Sequence, residues 1–94
     1  MKKPVAIFHG VNGGIQKVYR FSNKMGASVV RHNFSYGGDR GLWELAVINY
    51  PSDRRWYFVL DYSTPITSDV LGWLSDDDVV EVLERIEVLP PLEV

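Results

Sequence analysis

The chain contains no cysteine, which excludes a disulfide framework, a thiolate metal site and a cysteine nucleophile. No apolar run approaches the ~20 residues that a membrane-spanning helix needs. A secretory pattern is also missing. Met1-Lys2-Lys3 is followed at once by Pro4, and the apolar stretch at residues 5–8 is too short for a signal core. A cytoplasmic location is therefore expected. Histidine occurs only at positions 9 and 32, at no short ligand spacing from Asp39 or Glu44, so neither a metal nor another cofactor is expected. No Gly-Lys-Ser/Thr closes a glycine-rich loop, which excludes a P-loop, and no nucleophile elbow is present.

Basic residues are nearly missing from one half. Residues 56–94 hold one Arg against nine Asp or Glu, whereas residues 1–55 hold nine Lys or Arg against three acids. Such a split either marks a basic binding face or an acidic interaction face, or lets the two halves neutralise each other within the fold or across a homo-oligomer.

What is present describes one globular domain over residues 1–94. The hydrophobic share is 46% and the aromatic share 13%, enough to exclude general disorder. Residues 5–9 read as a short strand, and Gly10-Val11-Asn12-Gly13-Gly14 as a hairpin turn that tolerates positive φ. Residues 15–21 alternate with period two. Ile15, Lys17, Tyr19 and Phe21 share one face, and Gln16, Val18 and Arg20 the other. Residues 27–35 read as a third strand. Residues 42–50 are apolar on both faces, the mark of a central strand, and residues 56–62 read as a fifth. Short spacings favour antiparallel pairing.

The pattern then changes. Ser75 followed by Asp76, Asp77 and Asp78 starts a helix, with Ser75 as N-cap and Asp78 in the capping-box position. Capping accounts for the three acids, which lack the calcium-loop spacing. Val79, Leu83 and Ile86 repeat at helical spacing, widened by Val80 and Val82. Pro90-Pro91 is expected to end the helix. Residues 68–74 read as a short helical turn capped by Ser68. The expected architecture is α+β: a twisted antiparallel sheet of about five strands with a C-terminal helix on one face.

The candidate site is the loop Tyr36-Gly37-Gly38-Asp39-Arg40-Gly41 and its flanks. Consecutive glycine amides form anion-holding concavities, Arg31 and Arg40 add charge, and Tyr36 and Trp43 add rings that stack on a ligand. The expected ligand-binding set is Arg31, Tyr36, Gly37, Gly38, Asp39, Arg40 and Trp43. The plainer reading of the same residues is a glycine-rich connection between strands. Glu44 and His32, with Asp61, are the groups on which a small enzyme would have to rely. Cations interleaved with Tyr19, Phe34, Trp56 and Tyr57 suit single strands, but the overall acidity makes nucleic acid unlikely as a partner.

Three stretches carry a resemblance. Phe21, Asn23 and residues 26–31 fit F-x-N-x-x-G-A-S-V-V-R. Residues 36–38 and 41–47 fit Y-G-G-x-x-G-L-W-E-L-A-V. Residues 64–67, 69–72 and Leu74 fit T-P-I-T-x-D-V-L-G-x-L. In these the chain resembles a group of small proteins encoded by tailed bacteriophages and prophages. The resemblance implies an origin rather than a mechanism. By analogy with small phage proteins outside the virion, it implies an accessory factor that binds a host protein or a small anionic ligand without catalysis. The alternative is a structural or assembly protein that self-associates, with the apolar residues 56–60 as an unpaired sheet edge.

Overall fold

The computed structural model describes residues 2–91 and is an α+β fold. Among the described residues, six strands form one antiparallel sheet: β1 (Ala6–Val11), β2 (Gly14–Arg20), β3 (Met25–Arg31), β4 (Trp43–Asn49), β5 (Val59–Leu60) and β6 (Leu71–Leu74). A single helix, α1 (Asp76–Glu87), follows. The first five strands lie in sequence order, and β6 also pairs with β4.

The first hairpin turns on two residues. Asn12 (φ 46°) and Gly13 (φ 81°) both occupy the left-handed region, as the mirror-image turns of tight hairpins require. Gly10 (φ 84°) makes the bulge where the pairing of β1 with β2 slips between His9 and Val11. Strand β4 is central, as its two apolar faces demand. Trp43, Leu45 and Val47 point to α1, where they join Tyr19, Met25, Ala27 and Val29 of β2 and β3. Val79, Val82, Leu83 and Ile86 close this core from the helix. On the other face Val18, Ile48 and Tyr50 form a smaller cluster with Ala6 and Phe58.

Two sequence expectations fail at the far edge of β4. That edge is shared end to end. β6 pairs with Trp43 and Leu45, and β5 with Ile48 and Asn49. The expected fifth strand over residues 56–62 shrinks to two residues, because its register on β4 sets residues 56–58 opposite residues 50–52, past the end of β4; there Tyr57 N donates to Arg54 O in a turn instead (3.3 Å). The five-residue apolar edge on which self-association was to rest does not form, and the long free edge is that of β1. The expected helical turn at residues 68–74 is instead β6, which sends Leu71 and Leu74 towards the core. Gly72 there passes so close to the loop that a Cβ would lie 2.5 Å from Tyr36 Cβ. The third strand also starts and ends earlier than expected, leaving residues 32–35 to a turn.

The helix start follows the sequence. Ser75 Oγ accepts from Asp78 N (3.1 Å), and the Asp78 carboxylate accepts from Ser75 N (3.0 Å). These bonds from Ser75, backbone first, hold the Asp78 carboxyl below its ordinary value. The helix end follows as well. It falls at Glu87: Ile86 O and Glu87 O would next take the N–H groups of residues 90 and 91, which proline lacks, and Asn23 supplies the missing donor. Asn23 Nδ2 donates to Ile86 O (2.9 Å), Glu87 O (3.2 Å) and Leu89 O (3.1 Å), while its Oδ1 accepts from Met25 N (3.0 Å). One buried amide thus closes the β2–β3 turn and the helix C-terminus together.

Asn23→Ala leaves three carbonyls and one amide without that partner, and a loss of about 2–3 kcal/mol is expected on urea denaturation. Asn23→Asp keeps the acceptor but sets a negative charge against the negative end of the helix, so it should not restore stability. A fully stable Asn23→Asp protein would disprove this account of the helix end.

Asp61 fastens β5 to β4. Burial pushes its carboxyl pKa up, but bonds from Ser63 Oγ, Asn49 Nδ2 (2.9 Å) and Ser63 N (2.9 Å) outweigh burial and hold it below the ordinary value. A lowered folded pKa contributes stability above the unfolded value of about 3.9, and that stability is lost as pH falls through the folded value. Ser63→Ala should cost about 1–2 kcal/mol at neutral pH, with the gap to the parent narrowing below pH ~4. A gap that stays constant through acid denaturation would remove Asp61 as the cause.

Candidate functional site

The structure divides the seven candidate residues into two groups. Tyr36, Gly37, Gly38, Asp39 and Arg40 form the loop between β3 and β4. Arg31 ends β3 and Trp43 begins β4, and both line a cleft between the sheet and α1.

The loop is a tight turn. Residues Gly38–Arg40 make a single 3-10 turn flanked by Gly37 (φ 88°) and Gly41 (φ 73°). Its amides are engaged within it: Gly38 N on Ser35 O (3.1 Å), Arg40 N and Leu42 N on Gly37 O (both 3.0 Å), and Gly41 N on Gly38 O (3.1 Å). The anion-holding row of free amides suggested by the glycines is thus mostly consumed by the turn. The loop then docks on β6, where Trp73 N donates to Tyr36 O (3.1 Å). Asp39 and Arg40 point to solvent, while Tyr36 (59% exposed) and Trp73 (57% exposed) stand at the surface.

The three groups considered for acid–base chemistry each fix a turn. Glu44 Oε1 accepts from Tyr36 N (3.0 Å), His32 Nδ1 accepts from Phe34 N (3.1 Å), and Asp61 holds Ser63 and Asn49. Each is an acceptor for a nearby amide, a role that needs no substrate.

The cleft is built by register. Lys17 lies across from Val29, and the pairing of β3 with β4 runs to Val30 and Glu44. The next pair in that register is Arg31 and Trp43. Side chains alternate across a strand, so Lys17, Arg31 and Trp43 share the helix-side face at one end of the sheet. Trp43 is 5% exposed, and its ring carries two cations. The Arg31 guanidinium lies 4.2 Å from the ring centroid and the Lys17 ammonium 4.8 Å. A ring face attracts each cation by about 0.5–2 kcal/mol. The indole N–H donates to Asp76 Oδ1 (2.7 Å) at the first turn of α1. Arg31 also donates to Gly41 O (3.3 Å), which ties the loop to the cleft.

The cleft measures about 540 Å³, with Tyr19, Val29, Val79 and Leu83 as its apolar floor and residues 2–4 along its rim. Lys2, Lys3, Lys17 and Arg31 line it against one carboxylate, that of Asp76, which the indole holds. Among the described residues the only carboxylate in contact with a cation is Glu87, paired with Lys2. Lys17 and Arg31 are therefore both half-buried against the Trp43 ring, with no counter-charge in contact among the described residues.

Sequence reasoning placed Arg31 and Trp43 in the site and missed Lys17, Lys2 and Lys3. A signal for Lys17 exists. It is a cation within the apolar row Ile15, Tyr19 and Phe21, as Arg31 is at the end of the row Ala27 and Val29.

Gly37→Ala is expected to destabilise the protein by at least ~1 kcal/mol, because the left-handed backbone disfavours a side chain and the new Cβ would lie 3.0–3.1 Å from Leu42 and the Trp73 backbone. Arg40→Ala, at an exposed position, should stay within ~0.5 kcal/mol. Thermal unfolding of the two variants checks both. Equal, small effects would mean that the loop does not depend on its turn.

No protein-family model, curated protein or solved structure matches the chain.

Proposed function

We propose that this is an accessory protein of phage or prophage origin that works by binding, without catalysis. Its ligand is a small anionic molecule held in the cleft between α1 and the sheet. The observation that carries this reading is the pair of cations, Lys17 and Arg31, on the Trp43 ring with no carboxylate in contact among the described residues. Two cations held against one ring in a half-buried cleft repel each other, and an anion that reaches both relieves that repulsion through charge-assisted bonds. Lys3, at the rim, adds to the field. The apolar floor suits a ligand with a flat or hydrocarbon part beside its anionic group. The sequence resemblance supports the origin, and the arrangement of charge supports the ligand class.

A host protein is the second reading, favoured by Phe34, Tyr36 and Trp73, three large exposed aromatics around the loop. Such residues anchor protein interfaces.

Titration with inorganic pyrophosphate and with a mononucleotide, followed by indole N–H resonances, separates the readings. Anion binding is expected to move the Trp43 signal and leave Trp56 and Trp73 in place. Lys17→Ala and Arg31→Ala should each weaken it about tenfold, as ~1.4 kcal/mol does, and added salt should weaken it further. A Trp43 resonance that ignores every anion at millimolar concentration would sink the cleft reading. Retention of one host protein by the parent, lost in Tyr36→Ala/Trp73→Ala, would then support the second.

A further inference from the structure

The sheet face opposite α1 carries a second hollow, apolar in character. It is a groove of about 390 Å³ lined by Ala6, Phe8, Val18, Trp56 and Phe58. Its surroundings are basic. Arg55 lies over the Trp56 ring at 5.1 Å and Arg54 over Tyr57 at 5.8 Å. Arg20 lies over Tyr50 at 4.6 Å, and Tyr50 meets Phe58 of the groove edge to face at 5.8 Å. Among the described residues none of these arginines has a carboxylate in contact. Large aromatics and arginines around an accessible apolar hollow are the residue types that anchor interfaces.

The complementary surface lies on the same chain and cannot reach the groove. Asp77, Glu81, Glu84 and Val88 follow at i, i+4, i+7 and i+11, which lines them up along one side of α1. At 3.6 residues per turn this stripe is centred opposite the buried row Val79, Val82, Leu83 and Ile86. All four are exposed, and Val88, at the helix C-cap, is 79% exposed. The stripe is thus a run of carboxylates ending in one bare aliphatic side chain. The groove is an apolar hollow with bare arginines beside it. One is on the helix side of the sheet and the other on the opposite side, so no chain can fill its own groove with its own helix.

We propose that the outer face of α1 of one copy docks in the groove of a second copy. Val88 enters the apolar hollow, and Glu81 and Glu84 meet Arg54 and Arg55. The two surfaces differ, so the contact is head-to-tail and leaves one free surface at each end. Assembly therefore continues into rings or open chains rather than stopping at a two-fold pair. This arrangement also gives the basic and acidic halves of the chain a place to neutralise each other.

Sedimentation of the full chain at rising concentration, in low and high salt, tests this. Assembly should grow with concentration and recede with salt. Arg54→Glu/Arg55→Glu should be monomeric, as should Glu81→Lys/Glu84→Lys and, without any change of basic charge, Val88→Asp. The decisive step is to mix the groove variant with either helix variant. Each keeps one intact surface, so the mixture should form a 1:1 dimer and stop there. A parent that stays monomeric at every concentration in low salt overturns the proposal. So does a mixture that stays monomeric, or an assembly indifferent to all three variants, which would place the contact elsewhere, such as the free edge of β1. Arginine variants that keep self-association and lose binding to a single-stranded oligonucleotide would also overturn it and make the groove a nucleic-acid surface.

Discussion

The indole of Trp43 is the point on which both fold and cleft depend. It sits at the start of the central strand, almost wholly buried, and a buried indole N–H without a partner costs about 1–3 kcal/mol. Asp76 supplies that partner. The bond fixes where α1 begins relative to the sheet, since Asp76 is the first residue of the helix. The same ring then offers its face to Arg31 and Lys17. Burial of the ring is the largest of these effects, at roughly 2–3 kcal/mol for a large side chain. The cation contacts are smaller, but they decide where the charges stand. A phenyl ring would preserve much of the packing while losing the tie to the helix.

With its start tied to Trp43 and its end tied to Asn23, α1 is held at both ends while it covers the centre of the sheet. Its contacts fall chiefly on β3, β4 and β6. It does not extend over β1, so Val5 and Ile7 remain about half exposed. The cleft is the step between the part of the sheet that the helix covers and the part that it leaves open. Its basic character follows from which strands bring their helix-side residues to that step. β2 brings Lys17 and β3 brings Arg31, both from the basic half of the chain, while the helix brings only Asp76 near enough to line it.

Local signals carried much of this into the sequence. The capping box of Ser75 and Asp78 and the Val79, Leu83 and Ile86 stripe are short-range features, and they read correctly. So did β4, because a strand apolar on both faces has few other places to go. The errors arose where a partner far along the chain made the decision. Residues 56–62 have strand composition, yet their register on β4 carries residues 56–58 past its end, opposite residues 50–52. Residues 68–74 look helical until Tyr36 and β4 claim Gly72 and its neighbours. Pro90 and Pro91 mark the helix end in the sequence, but not the donor that replaces their missing N–H groups, which Asn23 supplies from over sixty residues away. The site follows the same rule. Glycines at residues 37, 38 and 41 advertise a binding loop, but their turn consumes most of the amides. Lys17 carries no local signal beyond its place in an apolar row, and only the register of β2 on β3 brings it to Trp43.

The unequal charge of the two halves is the feature that local reading left open, and the fold gives it a direction. Within one chain the halves barely neutralise each other: among the described residues one pair, Lys2 with Glu87, is in contact. Asp77, Glu81 and Glu84 of α1 are exposed, on the side away from the core. Basic residues collect on both faces of the sheet, Lys17 and Arg31 on one, Arg20, Arg54 and Arg55 by the other. Surface charges act over about 8 Å at physiological salt, and a packed layer of structure is ~10 Å thick, so each patch acts nearly alone. A molecule of small net charge thus presents separate surfaces of strong and opposite sign. Their neutralisation falls to groups outside the chain, and the proposed anion in the cleft and the proposed acidic face against the arginines are two that would supply it.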